Sequence, residues 1–210
     1  MIKRLGKINF KLIILVLLAF IFSYIAQVNL AITLFLIILY GYLRLRGLDI
    51  KNCNLLNPSL LFLIISVSGY FIIRQKLSIF YIPFSVAPML ATLLFNNLEI
   101  SLLITLASSV TIASFSGYPL QAMLLFLISG TVSSILVLGA RLRSTIIRAG
   151  IFNAILQIVA LILIEHLWIG PAGRYLTLFL NGVISSIIVL GILPVFEYLF
   201  NTVTNISLLE

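Results

Sequence analysis

Apolar runs of membrane-spanning length recur along nearly the whole chain. They fall at residues 12–28, 30–45, 58–73, 77–95, 99–116, 119–140, 146–167 and 175–196, separated by short stretches holding charge, proline or glycine. A helix needs about 20 mostly apolar residues to cross the hydrocarbon core, and inside lipid each segment must satisfy its own backbone hydrogen bonds. The expected fold is therefore all-α, a polytopic transmembrane helical bundle of eight spans that buries its surface in lipid and in helix contacts. With 62% of residues hydrophobic and 9% charged, the composition agrees, since soluble domains are roughly a quarter charged.

Loop charge gives an orientation that is independent of run length. With the N-terminus inside, the inner segments hold Lys3, Arg4, Lys7, Lys11, Arg44, Arg46, Lys51, Arg141, Arg143 and Arg148. The outer loops hold Arg74, Lys76 and Arg174. Lysine and arginine accumulate on the cytoplasmic side, so the expectation is N-in and C-in. The first two runs are short and turn at Gln27-Val28-Asn29; a hairpin fits the charges, whereas a single kinked span would move the N-terminal charges outside. Bulky Tyr24 stands where cleavage after Ala26 would want a small residue, so the basic start reads as an uncleaved anchor. The expected organisation is an anchor helix over 1–29, seven spans over 30–200 and a cytoplasmic tail over 201–210.

The net charge of +8 does not indicate nucleic acid, because the basic residues cluster at the ends of apolar runs, where they meet anionic headgroups. Cys53 is the sole cysteine, which excludes an internal disulfide and a cysteine-based metal cluster. One Asp, four Glu and one His are too few for the clustered carboxylates and histidines of hydrolytic or metal sites. No phosphate-cradling or dinucleotide-binding glycine motif occurs. The expectation is a chain without catalytic, metal or cofactor residues of its own.

Several positions stand out. Pro83 and Pro88 each remove a backbone donor within the run 77–95, so that helix should kink or break. A kinked helix serves packing, and in transporters a broken one lines a substrate site. Gly130-Thr131-Val132-Ser133-Ser134 parallels Gly182-Val183-Ile184-Ser185-Ser186, and both blocks continue to a glycine, at Gly139 and Gly191. Gly130 with Ser134, and Gly182 with Ser186, lie four apart on one helix face, a small-residue surface suited to close helix packing or a trace of an internal repeat. Glu165-His166 reads as a proton relay or, beside Trp168, as interfacial anchoring. Glu99 suits a helix N-terminus. Arg141, Arg143 and Arg148 are candidate contacts for lipid phosphates or for a cytoplasmic partner or nucleotide.

From about Tyr81 onward the chain resembles the membrane domain of the bacterial seven-transmembrane receptors fused to an intracellular HD phosphohydrolase. The residues carrying the likeness are Tyr81-Ile82-Pro83 leading to Met89-Leu90, the basic turn from Arg141 to Gly150, and the ending Leu193-Pro194-Val195-Phe196-Glu197-Tyr198-Leu199-Phe200, which continues through Thr204 to Leu208-Leu209-Glu210. The resemblance implies an anchor helix, an extracytoplasmic sensing domain, seven spans and a cytoplasmic HD domain hydrolysing cyclic dinucleotides, cyclic di-AMP in the known cases. Only Gln27-Val28-Asn29 separates the first two runs, and the sequence reaches Glu210 where an HD domain would begin. The expectation is a bare membrane module, in a bacterial cytoplasmic membrane or, given the Ile, Asn and Leu content, a plastid membrane. Its expected partners are lipids and a cytoplasmic HD phosphohydrolase or other soluble protein, contacted near Arg141, Arg143, Arg148 and Glu197. The alternative is a small-solute permease or the membrane-embedded binding subunit of a transporter.

Overall fold

A computed structural model of the chain describes residues 56–116, 119–165 and 171–208. The expected anchor and first hairpin (1–45), the basic residues Lys3 to Lys51, Cys53, His166, Trp168 and the terminal Leu209-Glu210 lie outside these residues. The described part is helical, with no strand among its elements. In order they are α1 (Leu56–Arg74), a 3-10 turn (Ile79–Tyr81), α2 (Val86–Phe95), α3 (Leu98–Phe115), α4 (Pro119–Val137), α5 (Arg143–Ile164) and α6 (Ala172–Phe200). Leu98–Phe115, Leu120–Val137, Arg143–Ile164 and Ala172–Phe200 are long and apolar enough to cross a membrane, while Leu60–Arg74 and Ile79–Phe95 form shorter apolar elements.

Local chemistry sets the boundaries. Asn96 takes a left-handed conformation (φ 45°) and its N–H reaches Thr92 O, ending α2. Asn97 then caps α3, its side chain accepting from Glu99 N at 2.8 Å. Asparagine tolerates the left-handed region and is a strong N-cap, so two adjacent asparagines reverse the chain within two residues. Past the end of α4, Gly139 lies at φ 67°, the usual glycine signature of a helix end. Pro194 lies inside α6 without ending it. That helix, with 29 residues, rises about 43 Å, well beyond the roughly 30 Å hydrocarbon core.

The helices meet through small residues and buried hydroxyls. In α3, Thr105, Ser108 and Thr111 donate to the carbonyls of Ser101, Ile104 and Ala107 at 2.8, 2.6 and 2.8 Å, which satisfies each hydroxyl within its own helix. Ser101 Oγ bonds Pro88 O at 2.9 Å and meets Ser134 Oγ at 2.6 Å, tying α2, α3 and α4 together. A Cβ on Gly130 would collide with Thr105 and come within 2.9 Å of the Phe84 ring. α5 and α6 run antiparallel in close contact: a Cβ on Gly182 would lie 2.6 Å from Ala154 Cβ, and one on Gly150 would lie 2.5 Å from Ser186 Cβ.

Candidate functional site

The run 77–95 forms two pieces, and its break meets a buried carboxamide. Ser78 caps the 3-10 turn by accepting from Phe80 N at 3.4 Å. Ile82, preceding proline, is extended (φ −74°, ψ 115°), because a residue before proline is pushed out of the helical region. Helix resumes at Val86, and Pro88 is the third residue of α2, a position whose N–H would have no intrahelical acceptor anyway. Pro83 therefore marks the break, and Pro88 adds no second kink.

A broken helix leaves carbonyls without donors, which inside a membrane must be supplied from elsewhere. Phe84 N donates locally to Ile82 O at 2.7 Å, and the donor from outside the run is Asn181 of α6. Its Nδ2 reaches Phe80 O at 2.6 Å and Ile82 O at 2.7 Å. Ser185 Oγ donates to Asn181 Oδ1 at 3.1 Å, which orients the amide. Leaving the Phe80 carbonyl unsatisfied would cost about 1–3 kcal/mol.

The two carbonyls belong to residues of different hydrophobic clusters, which Ile79 joins by packing against both. Phe80 joins a cluster with Leu125, Ala160, Leu161 and Leu178. Ile82 and Phe84 belong to a second cluster that extends to Phe196, Phe200 and Ile206. Asn181 bridges the boundary. At one rim, Arg174 pairs with Glu165 (Nη2 to Oε1, 2.5 Å) and places its guanidinium 5.2 Å from the Phe80 ring centroid. At the other, Phe95 stacks on Phe200 at 6.1 Å, and Phe196 meets Phe200 edge-on at 5.3 Å. There the chain turns back at Asn201 (φ 51°). The Glu197 carboxylate accepts from Thr204 N at 3.1 Å and also from the Thr204 hydroxyl, and Ile206 is buried. The segment after α6 is thus a hook latched onto the bundle.

A second polar cluster joins α4 to α5. Asn153 Nδ2 and Gln157 Nε2 both donate to Ser129 Oγ, at 3.1 and 2.7 Å. Asn153 Oδ1 and, beside the break, Ser85 Oγ are buried without a hydrogen-bond partner. These groups are amides, hydroxyls and carbonyls, suited to hydrogen bonding and not to proton transfer. Among the described residues no group of three or more His, Cys, Asp or Glu is placed to hold a metal.

The family model described as 7TM receptor with intracellular HD hydrolase matches residues 8–204. The chain belongs to this 7TM receptor family. The match covers the membrane-receptor part, from before the first expected span to Thr204 of the hook. No curated protein matches, and no solved structure matches.

Within this receptor module the positions singled out in the sequence fall in three places. Pro83 lies at the break and Pro88 in the first turn of α2. Gly130 and Ser134 face α3 and Phe84 of the break, whereas Gly182 and Ser186 face α5. Arg141, Arg143 and Arg148 are exposed around the start of α5, and Glu197 holds the hook. Glu165 bonds Arg174, a pairing across the α5–α6 loop that adjacency to His166 did not suggest. Asn181, Asn153, Gln157 and Gly150 went unremarked in the sequence. A carboxamide in the middle of an apolar run is itself a signal, because a polar group at that depth needs a partner.

Proposed function

We propose that this chain is a non-catalytic membrane module that anchors and regulates a cytoplasmic partner, an HD phosphohydrolase acting on cyclic dinucleotides being the partner favoured by the family. One observation carries this reading: the segment after α6 is latched by Glu197 and Thr204 and buries Ile206, so whatever binds there meets a fixed surface. In this reading both termini are cytoplasmic, residues 1–29 are the anchor and 30–200 the seven-span domain. Arg141, Arg143 and Arg148 contact anionic headgroups on the same side as the hook. Cross-linking in native membranes followed by capture through the C-terminus should recover a soluble HD phosphohydrolase. Recovery of lipid and chaperones alone would count against the proposal.

A second reading, a small-solute permease, draws on the broken run and on the unpartnered Ser85 oxygen beside it. It requires uptake by proteoliposomes containing the purified protein. No uptake and no ligand-induced thermal shift across a broad metabolite panel would remove it.

A further inference from the structure

The run from Ile79 to Phe95 lies parallel to α6 and touches it at three levels. Phe80 lies under Arg174 at one rim, the break is held by Asn181, and Phe95 stacks on Phe200 beside the hook. Phe80 packs in one hydrophobic cluster and Ile82, Phe84 and α2 in the other, while Ile79 touches both. Two pieces joined by an unwound segment can shift relative to one another, and the grip between them determines how much displacement passes across.

We infer that Asn181 is a coupling residue: its side-chain amide, bonded to one carbonyl on each side of the break, transmits displacement of the Arg174–Glu165–Phe80 rim through α2 to the hook at 197–208. This deepens the regulatory reading above and rests on it for its biological use, while its physical content stands apart from any partner. The Asn181 amide ties both carbonyls to α6, Ile82 O also accepting locally from Phe84 N at 2.7 Å, so displacement of the upper piece reaches the lower one through the shared amide. Where α2 ends, the Phe95–Phe200 stack lies against the helix turn from which Glu197 reaches Thr204. α6 is itself a continuous second route between the rims, and the test must separate the two.

The experiment uses the full chain in lipid nanodiscs and reads hydrogen–deuterium exchange of the 201–208 segment, with α3 as an internal reference. Arg174→Ala releases Glu165 and Phe80 together. It should speed exchange at 201–208 by about two- to thirty-fold, leaving α3 unchanged. In an Asn181→Leu background, which removes the shared donor and leaves Ile82 O only its bond from Phe84 N, the same substitution should add nothing. Transmission through α6 alone would give the same increment in both backgrounds, and that result overturns the inference, as does an Arg174→Ala protein whose hook exchanges like wild type. If Asn181→Leu does not fold, Ser185→Ala replaces it, keeping the donor but freeing its orientation; the Arg174→Ala effect should then fall at least about twofold, and an undiminished effect overturns the inference. Failure of the partner reading shows differently, as loss of capture with this coupling intact.

Discussion

The blocks beginning at Gly130 and Gly182 look alike in sequence, yet they meet their neighbours in different ways. Gly130 faces the ends of side chains, the Thr105 methyl and the edge of the Phe84 ring, and nearby Ser134 adds a hydroxyl contact to Ser101. Gly182 faces backbone: a Cβ there would lie 2.8 Å from Ala154 Cα and 2.9 Å from Ala154 N. Side-chain ends can rotate away, but a helix backbone moves only with the whole helix. The same small-residue pattern thus makes an adjustable crossing at α3–α4 and a rigid one at α5–α6. The closing glycines differ too, since Gly139 is left-handed past the end of α4 while Gly191 is within α6 with open space at its Cβ position.

These differences predict a ranked series, read by reversible unfolding in mixed micelles or bicelles. Gly182→Ala should be the most damaging, costing about 3 kcal/mol, because overpacking against backbone cannot be relieved locally. A loss below about 1 kcal/mol would show that α5 and α6 separate easily. Gly130→Ala should cost about 1–2 kcal/mol, with Thr105 and Phe84 changing rotamer. Parity with Gly182→Ala would abolish the contrast between the two crossings. Gly139→Ala should cost about 1 kcal/mol through its positive φ, whereas Gly191→Ala should cost nothing, since alanine is the better helix former. Equal effects at these two positions would contradict the different roles of the glycines. Ser134→Ala should cost about 0.6 kcal/mol, the typical worth of an interhelical hydrogen bond in a membrane, placing it between Gly139→Ala and Gly191→Ala. A substantially larger loss would mean that the Ser101–Ser134 contact, not close backbone approach, holds α3 to α4.

Much of the architecture was legible because apolar run length and proline chemistry are local properties. The break follows from Pro83 and from the extended conformation it imposes on Ile82. The sequence runs at 99–116 and 119–140 lie close to α3 and α4, although the fourth run proved to be a 3-10 turn plus a ten-residue helix. The sites were less legible because a small or polar face states what a helix needs without naming its partner. Gly182 does not announce Ala154, and Asn181 does not announce carbonyls roughly a hundred residues earlier in the chain. Arg174 and Glu165 come from opposite sides of a loop, and only the antiparallel closure of α5 on α6 brings them together.

The length of α6 carries a separate consequence. Between Arg174, fixed at one rim, and Glu197, which holds the hook, the helix rises about 35 Å, somewhat more than a typical hydrocarbon core. Such a helix tilts in a thin bilayer and stands more upright in a thick one. Its two polar ends are therefore the tips of a gauge, and the thickness of the surrounding membrane sets the angle at which the hook is presented.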